Sequence, residues 1–186
     1  MMDYFKKLFM ANQAVFSKGR FIALGMPIVV YPTKMLVRIQ KDFIEELGQE
    51  GIYNIYEFSK EGGKALSKEG IHIAKNEKFL LSFLQKFVPV GGWGLIDVTK
   101  DDWKAKEFIF TISNSSFPKI YGKSKEPVCH ITRGLFAGSA GIALKDDSIE
   151  CIETKCTSKG DKVCRFEIRP KDTIEKTDLT KDQIKF

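Results

Sequence analysis

Histidine, arginine and cysteine are all scarce in this chain, and their scarcity excludes whole classes of function. There are 2 histidines and 4 cysteines in 186 residues, and Arg20, Arg38, Arg133, Arg165 and Arg169 are the complete set of arginines. With so few histidines there is no His-Glu-x-x-His pair, and no Gly-x-Ser-x-Gly elbow marks a hydrolase nucleophile. Gly91, Gly92 and Gly94 lack the spacing of a phosphate loop, and no dinucleotide fingerprint is legible. No apolar run approaches the ~18–20 residues of a membrane span. Residues 1–9 carry Asp3, Lys6 and Lys7, so they lack a signal-peptide core. The expectation is a cytoplasmic protein.

The basic balance is carried by lysine. Net charge is +6 and the pI is about 9.0, but the lysines are scattered. That pattern suits a solvated surface better than a nucleic-acid footprint, which clusters its charge. Lysine- and glutamate-rich sequence with little arginine is also a tendency of heat-adapted proteins. With 43% apolar and 29% charged residues, the chain reads as one globular domain over residues 1–170. Residues 171–186, charged and poor in apolar groups, read as a tail.

Patterning gives the order of elements. Residues 21–31 suggest two short extended segments, interrupted by Gly25 and Pro27. Pro32-Thr33 opens a helix whose apolar stripe is Met35, Leu36, Ile39, Phe43, Ile44 and Leu47, with Gly48 as its stop. A second helical pattern starts at Ile52 and weakens at Gly62-Gly63. Residues 77–88 form an aromatic helix through Phe79, Phe83 and Phe87. Residues 93–98 and 105–112 read as paired strands joined by a turn at 99–102. The polar stretch 113–126 reads as a lid or binding loop. Pro127 then sets up a helix in which Gly134, Gly138 and Gly141 leave one side bare; packing against a sheet is the expected reason. The sum is an α+β domain with an antiparallel sheet covered by helices.

The chemistry concentrates at the end. Ser158-Lys159-Gly160-Asp161 is a turn sequence between residues 148–153 and 163–168, so a β-hairpin brings Cys156 and Cys164 across its mouth. Such thiols admit three readings: packed core cysteines, a disulfide, or metal ligands. Glu153 lies three residues before Cys156 and Cys129 just upstream, and together they would complete a tetrahedron of three thiolates and a carboxylate suited to zinc. His130 and Cys151 are the alternative ligands.

The run Pro127-Val128-Cys129, a glycine-rich helix, Glu153-x-x-Cys156, seven residues and Cys164-Arg165-Phe166 resembles the 4-vinyl reductase domain family, with the core motif at 127–168. The family includes sensor domains of phenol- and toluene-responsive activators, a protein linked to bacteriochlorophyll vinyl reduction, and archaeal hydrocarbon-binding proteins. The resemblance implies an architecture shared with TRAPP-type trafficking subunits, a tendency to dimerise, and a structural Zn2+ held by Cys129, Glu153, Cys156 and Cys164 in the C-terminal hairpin. The leading expectation is therefore a binding module for a hydrophobic or aromatic small molecule, without clear catalysis and without a nucleic-acid partner. The candidate pocket wall is Phe79, Phe83, Phe87, Trp93, Phe108, Phe110, Phe117 and Tyr121. A vinyl-reducing enzyme acting on a tetrapyrrole and a ligand-free assembly scaffold are the alternatives.

Overall fold

The computed structural model describes residues 14–23, 26–74, 85 and 88–186. The helix expected at 77–88, with Phe79, Phe83 and Phe87, lies outside the described residues apart from Gln85 and Val88.

Near the N-terminus, β1 (Ala14–Ser17), β2 (Arg20–Ala23) and β3 (Met26–Ile28) form an antiparallel three-stranded sheet. Lys18 and Gly19 turn the first hairpin with positive φ. Pro27 is accommodated because β3 is an edge strand. Two helices come next, α1 (Thr33–Leu47) and α2 (Gln49–Ala74). Gly48, at φ 57°, stops α1 as expected.

The apolar stripe on α1 is not the face that packs. Met35, Ile39, Phe43 and Leu47 are exposed, whereas Val37 and Gln40 make the buried contact. The expected weakening of α2 at Gly62-Gly63 is absent too: the helix runs straight through.

The second sheet has the order β4-β5-β7-β6, all antiparallel. Its strands are β4 (Leu95–Asp102), β5 (Glu107–Ser113), β6 (Ile149–Lys155) and β7 (Cys164–Pro170). β4 extends through residues 99–102, which the sequence suggested as a turn; the reversal comes at 103–106, where Lys106 takes φ 55°. Polar residues are tolerated there because β4 is an edge strand with a solvated face. The stretch 113–126 is no free lid. It contains α3 (Ser116–Tyr121), whose Phe117 and Pro118 are buried.

The helix α4 (His130–Leu144) contacts α2 as well as β6 and β7. Its bare side meets α2 rather than the sheet. A Cβ on Gly134 would stand 2.3 Å from the Tyr56 carbonyl oxygen, one on Gly138 would stand 1.9 Å from that of Lys60, and one on Gly63 would stand 2.2 Å from that of Leu135. Glycine is what lets the two backbones approach this closely. The core lies between α4 and the sheet, where Phe110 and Phe136 meet with ring centroids 4.5 Å apart and Phe110 stacks on Phe166 at 5.2 Å.

Buried charge is matched within the same interface. Lys60 Nζ pairs with Glu150 at 2.9 Å, and Tyr56 Oη donates to the same carboxylate at 2.5 Å. Arg133, wholly buried on α4, donates to the Cys151 carbonyl at 3.0 Å and lies 4.4 Å over the Tyr56 ring.

Residues 171–186 are not a frayed tail. A short helix, α5 (Asp178–Lys181), carries a Thr177–Thr180 capping box, and Ile174, Thr180, Gln183 and Ile184 are buried. Two apolar anchors and a buried amide suffice to dock a segment whose average composition is charged.

Candidate functional site

Three separate elements converge on one point. Cys129 caps the start of α4, Glu153 lies near the end of β6, and Cys156 and Cys164 flank the turn between β6 and β7. The turn follows its sequence: Gly160 takes φ 102°, and Asp161 accepts a hydrogen bond from the Cys156 amide at 2.8 Å. A bulge between Glu153 and Lys155 ends the regular β6–β7 ladder, and bulges of this kind re-aim side chains. From the α1 side, Gln40 Nε2 donates to the Val128 carbonyl at 2.8 Å and holds the segment that carries Cys129.

The donor atoms of Cys129, Glu153, Cys156 and Cys164 all lie within 4.8 Å of one another, and all four residues are buried. Cys129 Sγ and Cys164 Sγ are 3.8 Å apart. A zinc tetrahedron with Zn–S arms of about 2.3 Å has edges of about 3.8 Å, so the spacing fits a shared metal. Glu153 Oε2 accepts from the Cys129 amide at 2.9 Å, while Glu153 Oε1 is buried with no partner. An orphaned carboxylate oxygen facing a thiol cluster is a polar group that a cation would satisfy. All four cysteines are free thiols. These residues are positioned to hold a metal ion.

The electrostatics follow from that crowding. Burial, and then the neighbouring Cys156, push the Glu153 carboxyl up to about 8. Hydrogen bonds from Cys129 and Cys156 hold the Cys164 thiol down to about 4, and the Thr157 amide adds to this. Cys129, which donates one of those bonds, is raised well above an ordinary thiol. The two alternative ligands stand outside the group. His130 Nδ1 lies 3.1 Å from an Arg133 guanidinium nitrogen, and burial lowers its pKa strongly. Cys151 is raised by burial, with its amide bonded to Tyr56 Oη at 3.0 Å.

The expected aromatic wall divides. Phe108 and Phe110 line an apolar cavity between the sheet and α4, together with Ile96, Val98, Trp103 and Phe136. Trp93 packs against the core without lining that cavity. Phe117 and Tyr121 stack on each other at 6.5 Å on α3, away from it. Trp103 and Phe136 are the lining residues that sequence reasoning misses. Trp103 stands between two expected strands, and Phe136 reads only as one apolar position on a glycine-rich helix.

Residues 108–170 match the family model of the 4-vinyl reductase (V-4-R) domain. No curated protein matches the chain. Among solved structures, the phenol-responsive sensory domain of the transcription activator PoxR, solved with phenol, is 17% identical. The alignment covers 94% of this chain and 92% of that one, with a TM-score of 0.76. A trafficking protein particle complex subunit 3 from Naegleria fowleri, covalently bound to palmitic acid, is 13% identical with a TM-score of 0.56 over 77% of this chain and 98% of its own. A vinyl-4-reductase family protein from Methanocaldococcus jannaschii is 17% identical, covering 78% of this chain and 99% of its own, with a TM-score of 0.48. The α+β architecture of an antiparallel sheet packed with helices is the one that the sensory-domain and trafficking-subunit folds share. The resemblance to the 4-vinyl reductase domain family is thereby borne out over residues 108–170, the segment that contains all four candidate ligands.

Proposed function

We propose that this chain is a binding module for a small hydrophobic or aromatic molecule, stabilised by a structural Zn2+ at Cys129, Glu153, Cys156 and Cys164. The observation that carries the ligand reading is the cavity against α4, whose lining is almost wholly apolar. Two proteins of similar fold were solved with apolar or aromatic molecules, one with phenol and one with palmitic acid. The cavity measures about 40 Å3, more than the 10–15 Å3 that admits a water and far below the roughly 300 Å3 of a drug-sized pocket. A ring therefore enters by displacing side chains, among them the half-buried Trp103 and Leu144 of the lining.

The metal reading is a matter of donor chemistry. Three thiolates and a carboxylate suit zinc, and four protein ligands leave no open position for substrate. The ion would tie the start of α4 to the β6–β7 turn. Its role would be to hold the fold rather than to perform chemistry. Among the described residues, no helix is long and apolar enough to cross a membrane; we place the protein in the cytoplasm, where buried thiols stay reduced and free to load metal. A partner is expected as well. The exposed stripe Met35, Ile39, Phe43 and Leu47 on α1 suits a second copy of the chain, and the homodimer expectation rests there.

The test uses a Trp93→Phe protein, so that Trp103 reports alone, titrated with toluene and with phenol. A saturable change in emission that disappears when Ala140→Phe is added to fill the cavity is the expected result. A folded protein with no saturable response to either compound would overturn the ligand reading.

A further inference from the structure

Glu153 sits where β6 loses its regular partner. The bulge that follows it breaks the ladder to β7, and β6 is the edge strand of its sheet. Its backbone N–H and C=O are nevertheless satisfied, by one side chain from the far end of the chain. Gln183 Oε1 accepts from the Glu153 amide at 2.8 Å, and Gln183 Nε2 donates to the Glu153 carbonyl at 2.9 Å. The amide does what a residue of a neighbouring strand would do. Gln183 is itself 1% exposed.

The segment that delivers Gln183 is a strap across the molecule. Its carbonyl accepts from Arg133 Nη2 at 3.0 Å, which joins it to α4 one turn after Cys129. Tyr53 Oη donates to the Lys181 carbonyl at 2.6 Å and Gln49 Nε2 to that of Asp182 at 2.8 Å, which joins it to α2. Ile174 and Ile184 anchor it in the core. Among the four candidate ligands Glu153 is the one with an oxygen donor, and its side-chain direction depends on backbone held from outside the hairpin.

We propose that residues 174–186 form a strap whose docking is coupled to metal occupancy, with Gln183 the positioning residue for Glu153. This rests on the metal reading above. Coupling of this kind is reciprocal: whatever the strap adds to metal affinity, the metal adds to strap docking. A force or partner acting on the last residues of the chain would thus reach the metal centre through one amide.

Zinc affinity, measured by chelator competition on wild type and Gln183→Leu, separates positioning from mere packing. Loss of packing lowers the melting temperature of both metal-free and loaded forms and leaves affinity alone. Loss of positioning weakens zinc binding by about 10–100-fold, the range for outer-shell partners. In wild type, hydrogen exchange at the Glu153 amide and at residues 180–184 should slow when zinc is added. Unchanged affinity in Gln183→Leu, or strap exchange indifferent to zinc, would overturn the proposal. If the variant does not fold, the exchange experiment on wild type decides alone. A wild type that takes up no zinc at all would refute the metal reading itself, an outcome distinct from either.

Discussion

Cys129 Sγ lies 3.8 Å from Cys164 Sγ across 35 residues of sequence, with Glu153 bonded to the Cys129 amide between them. The start of a helix, the end of a strand and the far side of a turn are thus brought to one buried point. Packing alone gives no reason to place a carboxylate with an unpartnered oxygen there, since leaving such a group unpaired costs about 1–3 kcal/mol or more.

Metal uptake should be pH-dependent, with a definite sign. Glu153, pushed up to about 8, and Cys129, raised above an ordinary thiol, both hold protons at pH 7 in the metal-free fold. Cys164, held down to about 4, does not. Zinc must displace the first two protons, so its affinity rises with pH and binding at pH 7 releases protons. Calorimetry in buffers of different ionisation enthalpy measures that release, and an affinity equal at pH 6 and pH 8 would contradict it.

The glycines of the α2–α4 interface make opposite predictions at neighbouring sites. Gly138→Ala places a Cβ against the Lys60 carbonyl and should destabilise the protein by about 1–3 kcal/mol, as overpacking does. Gly62→Ala meets nothing nearer than Leu135 Cδ2 at 3.7 Å, and should stabilise by up to about 1 kcal/mol through helix propensity. Urea unfolding of the two variants checks both signs.

Phe43→Glu tests the α1 surface. Phe43 is 44% exposed at the centre of the Met35, Ile39 and Leu47 stripe. A charge there should shift sedimentation from dimer to monomer while the circular dichroism spectrum stays the same. A wild type that sediments as a monomer at all concentrations would rule the dimer out.

Much of this was legible because it was local. The hairpin turn is written in Gly160 and Asp161, and Glu153, Cys156 and Cys164 fall around it by spacing alone. The α+β order followed from where period-two stretches gave way to helical ones. The parts that stayed hidden depended on distant partners. Periodicity located the α1 stripe but not the side it faces, because Gln40 is bound to Val128, 88 residues away. The glycines of α4 showed that something approaches closely, but whether it was the sheet or α2 is a tertiary fact. Residues 171–186 looked like a tail because Gln183, a polar residue in a charged stretch, carries no sign that its amide will complete the edge of β6. Phe108 and Phe110 were expected in the pocket and line it, whereas Phe117 and Tyr121 are equally aromatic and pack elsewhere.

The most direct measurement is the metal content of protein purified without added metal or chelator, with Cys164→Ser in parallel. About one zinc per wild-type chain is expected, with loss of both the zinc and thermal stability in the variant. Metal-free wild type in which all four thiols react once the protein is unfolded, with unfolding insensitive to added zinc, would contradict the zinc site and leave the cluster as packed core cysteines.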